Sequence, residues 1–314
     1  MQRIGFIALP GFQVMSMAVM SVFEFANKEM AAPVYEVHVL SETGGSIRSS
    51  IGVSVVTESF GDRSFDTLIV GGSAVTGAVT PGVVKFLRRA LQRSRRVAST
   101  CVGAFVLAEA GLLDGRRATT HWKRGRELQS RFPDVKVEVD RIFITDGPVW
   151  TSAGMTAGID LALAMIEEDL GAEVARAVAK RLVVYHRRAG GQSQFSTLLA
   201  LEPKSDRVQN ALAYAKRNLD KPLTVEHLAE AAHLSPRQFS RVFHVETGQS
   251  PAKAIENLRL ESARLMLEQS SHPIEVIARQ AGFADRDRMR RAFLRAFGQP
   301  PQAIRRNVRA QAAA

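Results

Sequence analysis

The chain has 314 residues, 46% of them hydrophobic and 23% charged, a balance that suits a folded globular protein of two domains. Its net charge of +11 and sequence pI near 10.4 point to a polyanionic partner. A single cysteine, Cys101, excludes an intramolecular disulfide and a multi-cysteine zinc site, and the seven histidines lack metal-ligand spacing, so no metal or cofactor is expected.

The apolar stretch 4–26 is interrupted by Pro10-Gly11, with one arginine ahead of it and no small-residue cleavage site after it. It reads as a buried strand and a helix, not as a signal peptide. No run reaches the ~20 apolar residues of a membrane span, so no membrane partner is expected and the cytoplasm is the expected compartment. Residues 3–9 form a strand bounded by Pro10-Gly11, 14–30 a helix, and 34–40 a second strand. Residues 67–70 run as a strand into Gly71-Gly72; 81–93 make an amphipathic helix, 96–100 a strand and 102–111 the helix after it. Strands at 135–139, 142–145 and 149–151 precede two helices, 155–170 and 172–185. Strands alternating with helices argue for a parallel sheet covered on both faces.

Cys101 ends one strand and begins the next helix in Val97-Ala98-Ser99-Thr100-Cys101-Val102-Gly103-Ala104. This is the layout of a nucleophile elbow, with the side chain exposed on a tight turn and its thiol pKa lowered by the helix dipole. His121, in Thr119-Thr120-His121-Trp122, is the candidate base. On the residues alone, a small buried cysteine and a structural histidine are the plainer reading.

The run from Cys101 to Ala108 and from Gly111 to Trp122 resembles the PfpI and class I glutamine amidotransferase-like superfamily, over residues 1–187. The resemblance implies an α/β fold, a flavodoxin-like parallel-sheet sandwich. It also implies an elbow cysteine that the superfamily's enzymes use with a nearby histidine and an acidic residue. Where relatives carry Asp or Glu just after Pro10-Gly11, this chain has Ser16, and a neutral hydroxyl cannot hold an imidazolium. The expectation is a vestigial Cys101/His121 site with no catalysis. The surrounding cleft, with Gly72, Ser73, Cys101, Val102 and His121, is expected to bind a small ligand through backbone N–H groups.

Polar, glycine-containing sequence follows, and residues 188–205 are expected to be a linker. After Asp206 there is no strand signal. Residues 205–314 hold 18 Lys and Arg against 11 Asp and Glu, so the basic excess is concentrated there. Within them a pattern occurs twice: Phe239, Phe243, Gly248 and Pro251 recur 50 residues later as Met289, Phe293, Gly298 and Pro301. A fixed offset signals one supersecondary unit used twice, here helix, tight turn, helix. In the first unit Thr224 is an N-cap, His233-Leu234 the turn, and Ser235-Pro236 a strong helix start. In the second, Gly282-Phe283 turns into a helix from 285 to 297. The second helix of each pair presents polar residues opposite its apolar face: Arg237, Ser240, Arg241 and His244, then Arg286, Asp287, Arg288, Arg290 and Arg291. A 20-residue helix at 251–270 would span roughly 30 Å, close to the ~34 Å between successive major-groove faces.

These features resemble the AraC/XylS-type DNA-binding domain over residues 207–307: Leu228-Ala229, Phe239-Ser240-Arg241-Val242-Phe243, Gly248-Gln249-Ser250-Pro251, Arg259-Leu260 and Ala281-Gly282-Phe283. The resemblance implies base contacts by Arg237, Ser240 and Arg241, and by Arg286, Asp287, Arg288 and Arg291. Arg290 is expected to add phosphate affinity. Joined to the first domain, this is the layout of GlxA-family transcription regulators. The expected protein is a sequence-specific transcriptional regulator of double-stranded DNA. Its domain 1–187 senses a small effector, forms a homodimer, or does both. Its all-α tandem helix-turn-helix domain occupies 206–307, with a disordered tail at 308–314 and RNA polymerase as a candidate partner. The rival readings are a cysteine-dependent amidohydrolase or glyoxalase-like enzyme carrying a DNA-binding domain, and an architectural protein without sequence preference.

Overall fold

The strands of the first unit are β1 (Gln2–Ile7), β2 (Tyr35–Ser41), β3 (Thr43–Arg48), β4 (Ser54–Ser59), β5 (Thr67–Val70) and β6 (Arg96–Thr100). Then follow β7 (Arg117–Ala118), β8 (Lys136–Val137), β9 (Phe143–Asp146) and β10 (Val149–Ser152). Eight of them share one sheet in the order β3-β4-β2-β1-β5-β6-β10-β9, while β7 and β8 pair separately. Strands β2-β1-β5-β6-β10 are parallel throughout, the order of a flavodoxin-like doubly wound sheet. The outer pairs β3/β4 and β9/β10 are antiparallel. This computed structural model describes residues 1–73, 79–184, 188, 190, 194, 205–297 and 299–306. The chain divides into two units, 1–194 and 195–314.

Period-two alternation sends side chains to opposite faces of the sheet. Ile7, Leu40, Leu68, Val70 and Val97 meet α2 (Pro81–Arg93) and α3 (Gly103–Glu109) on one face. Ile4, Phe6, Ile69, Ala98 and Trp150 meet α1 (Ala18–Glu29), α5 (Thr156–Leu170) and α6 (Ala172–Arg181) on the other. Each large aliphatic so buried contributes about 1.5–3 kcal/mol. Below the sheet, fully buried Arg96 donates to Asp169 at 2.6 Å and Glu168 at 3.1 Å, and Tyr35 donates its hydroxyl to Asp169 at 2.9 Å.

Several elements differ from the sequence reading. The helix expected at 14–30 begins as a 3-10 turn, Val14–Met17, before α1. The β3/β4 hairpin is not visible in the sequence, because Gly44-Gly45 and the 84%-exposed Val56 break any alternation. The short helix α4 (Gly125–Arg131) is equally silent, burying little beyond Leu128. Most of the expected linker, 188–205, and the tail 308–314 lie outside the described residues. Arg188, however, bonds Asp160 through its N–H and guanidinium, and Gln194 donates to the Thr120 and Val139 carbonyls. These two residues pack on the first unit.

The second unit is helical: α7 (Asp206–Arg217), α8 (Val225–Ala231), α9 (Pro236–Thr247), α10 (Pro251–Gln269), α11 (Ile274–Gln280) and α12 (Arg286–Phe297). It has two cores. Val208, Leu228, Phe239, Phe243, Ile255 and Leu258 form the first; Leu260, Leu267, Ile277, Met289, Phe293 and Ile304 form the second. The repeat is therefore structural, each copy closing its own core against one half of α10. Gly248 ends α9 at φ +73, in the left-handed region that favours glycine; its counterpart Gly298 lies outside the described residues.

Candidate functional site

In the second unit the chemistry sits on α9 and α12. Ser235 caps α9 in a reciprocal capping box with Gln238, and Pro236 fills its first position. With Phe239 and Phe243 buried, Arg237 and Arg241 point outward and Ser240 sits half-buried at the edge. On α12, Asp285 caps the Arg288 N–H at 2.6 Å. Met289, Ala292 and Phe293 are buried, so Arg286, Asp287, Arg288, Arg290 and Arg291 are all exposed. Arg286 pairs with Glu275 at 3.1 Å, and Arg288 lies 3.9 Å from Asp285. Arg237, Arg241, Arg290 and Arg291 form no ion pair with the described residues. Like charges left unneutralised on one helix face are a standing attraction for phosphate, and arginine forks also match guanine edges.

In the first unit Cys101 has φ +55, the strained turn expected of an elbow. It sits between the Gly71-Gly72 turn after β5 and Gly154 after β10. A Cβ on Gly154 would collide with the Cβ and Cα of Cys101, and one on Gly72 would come within 2.9 Å of the same Cβ. The glycines are needed for this close approach. Gly154 was missed in the sequence, where only the small-residue run Ser152-Ala153-Gly154 hints at it. The Cys101 N–H donates to the Ser152 carbonyl, and its carbonyl accepts from the Thr120 hydroxyl at 2.8 Å.

Two sequence expectations fail here. The Cys101 side chain is not exposed but 4% accessible. Burial pushes its thiol above the usual range, outweighing the opposing pull of the Val102 N–H and Arg124. His121, the candidate base, makes no hydrogen bond to Cys101; its Nδ1 accepts from the Lys123 N–H and its ring stacks on Trp122. Burial, with Lys123 and Arg124 nearby, pushes its pKa below the ordinary histidine value. Ser16, read from the sequence as replacing an acidic residue, is buried and donates its hydroxyl to the Gln13 carbonyl at 2.6 Å.

Of the five residues proposed for ligand binding, Ser73 and Val102 face a cavity and the other three are not among its lining. Gly72 packs closely on Cys101, and His121 follows Thr120, whose hydroxyl bonds the Cys101 carbonyl. The cavity, of about 310 Å³, lies at the carboxyl ends of β1 and β2. Leu9, Val79, Val83 and Phe105 supply its apolar walls; Glu42, Thr80, Glu109 and Arg131 supply polar groups. Glu109 accepts from Arg131 at 2.8 Å and from the Val79 N–H at 3.1 Å, and Glu42 accepts from the Thr80 hydroxyl. The position beside the strand-order reversal at β1 is where ligands bind in doubly wound folds. Glu42 went unnoticed because it sits at the start of the hairpin that the sequence did not disclose.

A family profile described as DJ-1/PfpI family matches residues 6–168, and one described as Helix-turn-helix domain matches 228–307. The HTH-type transcriptional regulator CdhR of Pseudomonas aeruginosa is 33% identical over 308 residues, covering 96% of this chain and 90% of its own. The HTH-type transcriptional regulator GlxA of Rhizobium meliloti is 32% identical over 321 residues, covering 97% and 96%. A solved AraC family transcriptional regulator from Pseudomonas putida superposes with a TM-score of 0.53 at 24% identity, over 58% of this chain and all of its own, a likeness of fold. Two separate cores, two capped arginine-bearing helices and a doubly wound domain agree with these matches along nearly the whole length. The chain belongs to the HTH-type transcriptional regulators that join a DJ-1/PfpI domain to an AraC-type DNA-binding domain.

Proposed function

We propose that this DNA-binding regulator reads its operator with Arg237, Ser240 and Arg241 of α9 and with Arg286, Asp287, Arg288, Arg290 and Arg291 of α12, and that its first unit is a sensor and a pairing module. The observation that carries the DNA assignment is the set of four exposed arginines, Arg237, Arg241, Arg290 and Arg291, without ion pairs among the described residues on two capped helices. Arg286 is already paired with Glu275, so it contributes less than its neighbours. The sensing assignment rests on the cavity between β1, β2 and α3, whose apolar walls and few charged groups suit a small amphipathic metabolite. A first unit that pairs with a second copy would bring two DNA-binding units to one site, and effector occupancy would alter how they meet it. Avidity of this kind shifts affinity by about 10²–10⁴ without any new base contact. RNA polymerase is the partner through which binding would change transcription in the cytoplasm.

The buried, protonated thiol, a His121 that bonds Lys123 and not Cys101, and the hydroxyl at Ser16 support a cleft that does no covalent chemistry. Filling the cavity tests the sensing role. In the variant Val83→Trp, metabolites that raise the melting temperature of the native chain should lose that effect while DNA affinity stays unchanged. An undiminished metabolite response in this variant would place the sensor elsewhere.

A further inference from the structure

The two helix-turn-helix units have separate cores, and α10 is shared between them in a particular way. Ala254, Ile255 and Leu258 belong to the first core; Leu260, Ala263 and Leu267 belong to the second. Arg259 is the residue between them. Its side chain turns back to the first unit, where Nε donates to the Leu219 carbonyl at 3.1 Å and a terminal nitrogen donates to the Lys221 carbonyl at 2.7 Å. Both carbonyls lie in the loop between α7 and α8. Against the same point comes the turn of the second unit. Gly282, between α11 and α12, has φ +82, and a Cβ there would run into the Leu219 carbonyl oxygen and crowd Arg259 Nε to 2.6 Å. Burial pushes the Arg259 guanidinium below its usual pKa, in keeping with a half-enclosed group whose partners are carbonyl dipoles. A second brace lies one turn earlier on α10, where Glu256 accepts from Lys253 at 3.0 Å and from Arg295 of α12 at 2.7 Å. Burial alone would raise the Glu256 carboxyl, but these two cations hold it below its usual range.

We infer that Arg259, wedged between the α7–α8 loop and the Gly282 turn, is a positioning residue that fixes the rotational phase between the two reading helices and so sets which half-site spacing the protein accepts. The physical reason is that two small cores joined by one helix can twist about that helix unless a contact off its axis opposes it. Arg259 and Gly282 supply that contact, and Glu256–Arg295 adds a second one a turn earlier on the same face of α10. A protein with this interlock rejects a mis-spaced operator; one without it tolerates a range. This rests on both α9 and α12 entering DNA.

The probe is a duplex selected by the native full chain from a random-sequence pool, compared with the same duplex carrying two extra base pairs between its halves. The insertion moves one half about 7 Å along and about 70° around the helix. For the native chain it should weaken binding by about a hundredfold, since simultaneous engagement is lost. In Arg259→Ala this penalty should fall to a few fold, with binding to the unmodified duplex reduced only slightly. Arg259→Lys, which can still reach one carbonyl, should lie between them. Arg295→Gln relaxes the second brace without touching the buried junction and should lower the penalty in part, even if Arg259→Ala folds poorly. A spacing penalty unchanged in folded Arg259→Ala, or unchanged in Arg295→Gln where Arg259→Ala does not fold, overturns the inference. A native chain with no spacing penalty at all would overturn the two-helix reading instead.

Discussion

At Cys101, burial and the helix start act in opposite directions. The N–H of Val102 and the charge of Arg124 favour the thiolate, while enclosure by the glycine turns after β5 and β10 disfavours it more strongly. In the folded chain at pH 7.5, iodoacetamide should alkylate Cys101 more slowly than free cysteine, because burial both restricts access and lowers the thiolate fraction. Fast alkylation would mean that the thiol is exposed or activated. The same shift has a stability consequence. A thiol with a raised folded pKa favours folding below its ordinary value, and that contribution is lost as pH rises through the raised one. Urea melts of Cys101→Ala should therefore decline less steeply at alkaline pH than those of the native chain. On the DNA face, Arg241→Ala should cost about 1–3 kcal/mol on the selected operator and little on unrelated DNA, as loss of a base contact does. Arg290→Ala should weaken both alike and reduce the salt slope by about one; the opposite pattern would exchange their roles. These arginines were legible in the sequence because helical spacing against Phe239 and Met289 determines which side they occupy. The state of Cys101 was not, since it depends on Gly72 and Gly154, distant in sequence and brought together only by strand order.

Among the elements, the helices of the second unit carry their boundaries in the sequence as caps and prolines. Thr224, Ser235-Pro236 and Ser250-Pro251 each begin a helix where expected. Removing one cap should have a local and modest effect. Ser235→Ala takes away the side-chain acceptor for the Gln238 N–H, and about 1 kcal/mol should be lost from the stability of the second unit in chemical denaturation. An effect below a few tenths would show that Pro236 and packing alone hold the start of α9. The parallel strands were equally legible, being apolar runs buried on both faces. The β3/β4 hairpin and α4 were not, because edge elements half in water carry no alternation or stripe strong enough to read. Their silence also hid the cavity. Glu42 begins the hairpin, and Arg131 ends α4 with its guanidinium over the Phe105 and Phe132 rings.

For the whole molecule, the division of charge follows the division of labour. The basic excess is concentrated in the unit that binds a polyanion, and the unit that carries the sheet offers instead a largely apolar cavity. The offset of 50 residues between Phe239 and Met289 announced two matching arginine-bearing helices, while Arg259 at the junction of their cores is visible only in three dimensions. With both α9 and α12 proposed to enter DNA, one chain would read two successive major-groove faces with sequence preference. Selection of bound duplexes from a random-sequence pool by the purified full chain, followed by hydroxyl-radical footprinting of the winners, tests it most directly. The expected outcome is a shared motif of two unlike halves about one helical turn apart, with protection over both. Enriched duplexes with no common motif, or a footprint confined to a single groove face, would contradict it.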